Sequence, residues 1–183
     1  MINKIMFWRK SKVLILYSTV DGHTKNICEY IYKKLKGKKS VSIVSIEKSS
    51  EYKLEDFNEV VIGASVRYGY HRKNVYEYIQ KNLQELNNLK TAFFSLNLTA
   101  RKPEKSTPET NPYLIKFLKK VKWNPSTKEV FAGRLDYPSL DTFNKLAILF
   151  IMFITNGPKD TSKTYELTDW KKVDKLINSI SKL

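Results

Sequence analysis

The sequence predicts an α/β fold: a five-stranded parallel sheet in the order 2-1-3-4-5 with helices on both faces. Three observations carry that prediction. Runs of Val, Ile, Leu and Phe recur at strand length, at Val13–Tyr17, Ser40–Ile46, Glu59–Ser65, Thr91–Leu98 and Lys128–Asp136. Segments with apolar residues at helical spacing lie between most of them. The strand runs are mostly apolar at successive positions, as in strands covered on both faces, and right-handed crossovers then leave few topologies open.

Taken in order, Val13-Leu-Ile-Leu-Tyr17 runs into the polar loop Ser18–Thr24, and a helix with Ile27, Ile31 and Leu35 on one face continues to about Lys36. Ser40–Ile46 is the second strand, Tyr52–Asn58 a short connection, and Glu59–Ser65 a strand ending in small residues. Val66–Arg72 reads as a loop, after which Val75, Tyr78, Ile79, Leu83 and Leu86 trace a helix. The strand Thr91–Leu98 is followed by Thr99–Pro108, basic and too rich in proline to be regular, by a helix over Pro112–Val121, and by the strand Lys128–Asp136. A last helix spans Thr168–Ile180, with Thr168 as N-cap, Asp169 in the first turn, and Trp170, Val173, Leu176, Ile177 and Ile180 inward. One domain over residues 13–183 is expected, with an extension at 1–12 and an insertion at about 137–164.

The length of 183 residues and 42% hydrophobic content suffice for one full core. A net charge of +15 suits a polyanion, an anionic membrane surface or an acidic small substrate, or else reflects lysines on a solvated face in a chain rich in Lys, Ile, Asn and Tyr. The lysines are scattered over every segment, which argues against nucleic acid as a partner. Cys28 is the only cysteine, so disulfides and C-x-x-C pairs are excluded and a buried structural thiol is expected. His23 and His71 are the only histidines, too few for a histidine-rich metal site. Redox chemistry would have to come from a bound cofactor. In Met1–Lys12 the charges follow the apolar Ile-Met-Phe-Trp and no small-residue cleavage site appears, so a cytoplasmic protein is expected.

The loop Ser18-Thr-Val-Asp-Gly-His-Thr24 falls where an α/β sheet holds an anion at a helix N-terminus. No G-x-x-x-x-G-K-[ST] is present to wrap a triphosphate, and no G-x-G-x-x-G to lie against a pyrophosphate. One glycine and several hydroxyls suit a terminal monoester: Ser18, Thr19 and Thr24 can donate while the amides of Val20–Thr24 form a nest. The other reading is an ordinary N-capped turn.

The loop resembles the [ST]-x-T-G-x-T phosphate loop of the flavodoxin family, departing at Asp21, which should turn away and bond loop amides. A basic chain is unlike an acidic electron-carrier flavodoxin. Its motifs Ser-Thr-Val-Asp-Gly-His-Thr-Lys, Val-Val-Ile-Gly-Ala-Ser-Val-Arg-Tyr-Gly, Ala100-Arg-Lys-Pro-Glu-Lys105, Ala-Gly-Arg-Leu-Asp-Tyr-Pro and Tyr-Glu-Leu-Thr-Asp-Trp are similar to the flavodoxin-like, quinone-dependent protoporphyrinogen dehydrogenases of bacterial haem biosynthesis, over Val13 to about Ile177. The resemblance implies a flavodoxin-like three-layer sandwich, FMN as cofactor, a porphyrinogen with two propionates as substrate, a membrane quinone as acceptor, and flavin N5 as hydride acceptor. It implies cofactor contacts from Ser18, Thr19, Val20, Asp21, Gly22, His23, Thr24, Ser65, Val66, Arg67, Tyr68, Phe93, Asn97, Leu98, Thr99, Ala100 and Thr161, with Tyr68 as the stacking ring. Arg67, Arg101 and Lys102 are the candidates for substrate carboxylates, and no residue stands out as a proton acceptor. The alternative within the same fold is a flavodoxin-like NAD(P)H:quinone reductase.

Leu146–Ile154 is an unbroken apolar run, about 14 Å long as a helix and too short to cross a hydrocarbon core of roughly 30 Å. With Lys145 and Lys159 beside it, it could lie in a membrane interface, at the cytoplasmic face of the inner membrane, or cap the flavin. Packing onto the sheet or onto a second subunit of a homo-oligomer is the other reading.

Overall fold

The computed structural model describes residues 10–182, so most of the extension at 1–12 lies outside the described residues. Five parallel strands, β1 (Lys12–Ser18), β2 (Ser40–Ser45), β3 (Glu59–Arg67), β5 (Lys90–Leu96) and β6 (Thr127–Phe131), stand in the order β2-β1-β3-β5-β6, the predicted order once the short β4 (Tyr70–His71) is set aside. Period-two alternation divides their side chains between two cores. Leu14, Leu16, Val60, Ile62 and Phe93 face one layer, where α2 (Lys73–Lys81), α3 (Leu83–Asn88) and α4 (Pro112–Val121) supply Val75, Ile79, Leu86, Leu114 and Phe117. Val13, Ile15, Val61 and Phe94 face the other, where α1 (His23–Leu35) and α6 (Trp170–Lys182) supply Ile27, Cys28, Ile31, Val173 and Leu176. Three layers result, and the Cys28 thiol is buried, its pKa pushed up by desolvation. Gly63 is required in β3, since a Cβ there would collide with the Phe94 ring.

At the other end of the sheet, Lys39 Nζ donates to both Glu59 carboxylate oxygens, at 2.6 and 2.7 Å, and to the Ile180 carbonyl at 2.7 Å. Both side chains are buried, and the pair fastens the start of β3 to the end of α6.

Four expectations need correction. Val66–Arg72 is not a loop: β3 continues to Arg67 and turns back through Tyr68 and Gly69, both at positive φ, into the antiparallel β4. The helix expected through Val75–Leu86 breaks at Asn82, whose φ of −111° and ψ of 24° leave the helical region. Lys128–Asp136 is two strands, because Gly133 at φ 80° takes the chain out of the main sheet. Beyond it β7 (Arg134–Asp136) pairs antiparallel with β8 (Thr164–Glu166) in a ribbon of its own. Thr168 is not the cap of α6; the Asp169 carboxylate takes the Lys171 and Lys172 amides, while the Thr168 hydroxyl meets His23. The proline-rich loop folds as two 3-10 turns, Leu98–Arg101 and Pro103–Lys105.

The apolar run lies in α5 (Thr142–Ile154), which Asp141 caps by accepting the Asn144 amide. Only Met152 of this helix is buried, and it joins Leu135 and Tyr137 in a third, small core that Ile148 and Leu149 partly cover. Phe143, Leu146, Phe150, Phe153 and Ile154 are exposed.

Candidate functional site

A cavity of about 410 Å³ opens at the carboxyl ends of β1, β3 and β5, where the parallel strands end and their connections diverge. From the β1 loop, Thr19, Val20, Asp21, His23 and Thr24 line it; from β3, Ser65, Val66 and Arg67; from the end of β5, Asn97 and Leu98. The far wall comes from Gly133, from Arg134 and Asp136 of β7, from Leu140 between β7 and α5, and from Ile148 of α5.

The Thr19, Thr24 and Ser65 hydroxyl oxygens and His23 Nδ1 are buried and have no hydrogen-bond partner, and all four residues line this cavity. Burying a polar group without a partner is costly, so such a cluster marks a place built around a polar ligand. Gly22 at φ 78° opens α1 without a side-chain cap, leaving its first amides to the same space. Neutral hydroxyls, loop amides and a helix N-terminus are the donor set of a phosphate monoester, and the residues fit the phosphate of FMN.

The flanking groups are fixed from outside. Arg72 Nη1 donates to the Thr19 carbonyl at 3.1 Å and to Glu47 at 2.8 Å. Asn97 and Asn111 bond each other's side chains, the Asn97 amide also donates to the Ser95 hydroxyl, and Asn111 caps α4 with its oxygen and donates its amide N–H to the Lys105 carbonyl. His71, buried against Ser95, has its pKa lowered to about 3 by desolvation and stays neutral.

Several expected positions stand elsewhere. Asp21 does turn from the loop, but to Arg67, whose guanidinium lies 3.3 Å from it, and not to loop amides. Ser18 is buried beneath the loop with its hydroxyl on Asn74. Phe93 is wholly inside the sheet's core, stacked on Phe117 with ring centroids 4.9 Å apart, because its position in the alternation points it at a helix layer. Tyr68 sits exposed at the hairpin turn with its hydroxyl on Asn144 of α5, outside the cavity lining. Thr99, Ala100, Lys102 and Thr161 also lie off the lining.

Arg101 departs most from its expected role of receiving substrate carboxylates. Its guanidinium donates to the Leu98 carbonyl at 3.0 Å and to the carbonyl and hydroxyl of Thr155, tying the basic loop to the end of α5. Arg101→Ala is therefore expected to lower stability in urea titration by about 1–3 kcal/mol, the cost of orphaning these acceptors. An unchanged midpoint with a raised substrate KM would restore the substrate role.

A model of the flavodoxin domain matches residues 14–162. Protoporphyrinogen IX dehydrogenase [quinone] of Leishmania major is 41% identical over 174 residues, covering 94% of this chain and 75% of that protein. The enzyme of the same name from Escherichia coli K12 is 39% identical over 173 residues, covering 94% and 96%. This chain belongs to their family, within the flavodoxin-domain proteins. A cysteine-to-serine mutant of the flavodoxin from Pseudomonas aeruginosa superposes with a TM-score of 0.48 at 14% identity, covering 79% of this chain and 95% of that one.

The wall from β7 is the part that sequence reasoning missed. Arg134 and Asp136 belong to a motif that carried the resemblance, but the glycine before them does not by itself say that a strand ends there. The Asp136 carboxyl is held below its usual range, first by hydrogen bonds from Thr164 and Ser139.

Proposed function

We propose that the protein is an FMN-dependent enzyme that oxidises protoporphyrinogen IX to protoporphyrin IX with a quinone as electron acceptor. The observation that carries this is the cluster of unpartnered buried donors in the β1 loop of a chain about 40% identical, over nearly its whole length, to enzymes of that name. Bound FMN supplies the two-electron chemistry of each dehydrogenation and the route to the quinone. Thr19 and Thr24 hold its phosphate, while Ser65–Arg67 and Asn97–Leu98 flank the cavity beyond. Leu96, Leu98, Leu135, Leu140 and Ile148 give the cavity an apolar wall that excludes water. The Asp21–Arg67 pair holds the phosphate loop to the hairpin while keeping the carboxylate off the anion.

Thr24→Ala is expected to weaken FMN binding by about 1–3 kcal/mol, since a buried donor to a charged group is lost. Fluorescence titration measures it.

The enzyme works, on this reading, attached peripherally to the cytoplasmic face of the membrane that holds its quinone. Among the described residues no helix is long and apolar enough to cross a membrane. What supports attachment is α5: Phe143, Leu146, Phe150, Phe153 and Ile154 are spaced to form one exposed stripe, and Lys145 and Lys159 flank it. The test of function is anaerobic: purified protein with its flavin is given protoporphyrinogen and then quinone. Porphyrin fluorescence should appear on quinone addition. Bound flavin that never forms porphyrin would defeat the proposal.

A further inference from the structure

The cavity places a second wall opposite the phosphate loop, and that wall is charged. Gly133 turns the chain out of the main sheet, so Arg134 opens β7 and lines the cavity that His23 lines from the other side. Its strand partner Glu166 comes within 3.6 Å of His23 Nε2, and the Thr168 hydroxyl is 2.8 Å from the same nitrogen. The ribbon β7–β8 and the start of α6 thus hold the imidazole by one nitrogen. Its other nitrogen, Nδ1, is buried without a partner in a residue only 6% exposed.

The cations near the site differ in what they already hold. Arg101 is spent on main-chain carbonyls and Thr155. Arg67 is paired with Asp21 at 3.3 Å. Arg134 has Asp136 at 3.6 Å, beyond hydrogen-bond distance, and that carboxylate already accepts the Thr164 hydroxyl at 2.8 Å. Arg134 therefore has donors to give to a ligand.

We infer that Arg134 and His23 form a clamp on the terminal phosphate of the cofactor, Arg134 closing on it from the wall opposite the loop hydroxyls and His23 from the loop itself. The inference rests on the FMN assignment and adds to it two groups that a loop of hydroxyls and amides does not supply. His23 gives Nδ1–H to a phosphate oxygen while Nε2 accepts from Thr168 or, once protonated, faces Glu166. Arg134 gives a guanidinium N–H to the same dianion. No covalent bond changes; the one transfer is a proton taken from solvent by His23.

The groups facing His23 are Glu166 of β8, Arg134 of β7, Thr168, and the Trp170 ring at the start of α6. Without ligand its pKa lies below the ordinary imidazole value, first because of burial, with Glu166 raising it and Arg134 lowering it. A bound dianion raises it, so binding takes up a proton. Affinity then grows as pH falls toward the ordinary imidazole range of about 6.5, above the range where the phosphate itself protonates near pH 6.

The test titrates the full-length chain, freed of flavin, with FMN and with riboflavin, which lacks the phosphate. Arg134→Gln should raise the FMN Kd about tenfold or more and leave the riboflavin Kd unchanged, with Arg134→Lys between. His23→Gln should flatten the pH dependence of FMN affinity. An unchanged FMN Kd in Arg134→Gln, equal weakening of both flavins, or a pH dependence surviving in His23→Gln overturns the clamp while FMN stays the cofactor. A wild-type chain that binds neither flavin overturns the clamp and the cofactor assignment together.

Discussion

Lys39→Met is expected to destabilise the fold by about 3–5 kcal/mol, because it leaves a carboxylate buried without its counter-charge. Among the described residues Glu59 would keep the Ser11 hydroxyl, 2.8 Å away, and the Ile180 carbonyl would lose the Lys39 donor that now reaches it. The loss acts on the edge where β1 and β3 begin and α6 ends. The double variant Lys39→Met/Glu59→Leu should recover much of it, since removing both charges removes the desolvation they require. Urea unfolding of the three proteins decides it. A single variant within about 1 kcal/mol of wild type would mean that water reaches the carboxylate after all.

Phe150→Asp is expected to release the protein from anionic phospholipid vesicles while its thermal melt and flavin spectrum stay native. Phe143 and Phe150 are 77% and 66% exposed, so a carboxylate at 150 meets water in the free protein and costs the fold little. At a lipid interface each large side chain withdrawn from water contributes about 1.5–3 kcal/mol, and a stripe of several with basic flanks is enough for reversible attachment. The substitution removes one such contribution and adds a charge that must stay hydrated, a combined change of about a hundredfold or more in vesicle affinity. Quinone-dependent turnover should fall with it. Membrane binding unchanged by Phe150→Asp would show that this stripe is not the anchor, and a loss of oligomeric mass in its place would identify a second copy as its occupant.

Much of the fold was legible because local signals agreed with the global pattern. Helix α4 spans Pro112–Val121 as expected: Asn111 caps it, proline opens it, and Lys122 in the left-handed conformation ends it. The strand runs at Val13, Glu59 and Thr91 were continuous enough that only a doubly covered sheet could use them. The breaks were less legible. Nothing local distinguishes a glycine that packs, such as Gly63 against Phe94, from one that turns the chain, such as Gly133 at φ 80°. The β1 loop could be placed at a cavity because it follows a strand directly. Arg134 and Glu166 could not, since pairing across β7 and β8 brings them together from 32 positions apart. Arg101 shows the remaining limit: a loop position next to a site leaves open whether a long side chain points into it or fastens the loop elsewhere.

The small core of Leu135, Tyr137 and Met152 lies apart from the two cores that cover the main sheet, and it joins the β7–β8 ribbon to α5 through few fully buried side chains. Cooperative units with little buried apolar area open at a lower free energy than the whole domain. The β7–β8 ribbon and α5 are therefore expected to exchange their amides sooner than β1 and β3, so the cavity's outer wall is the part of the fold with the lowest opening free energy.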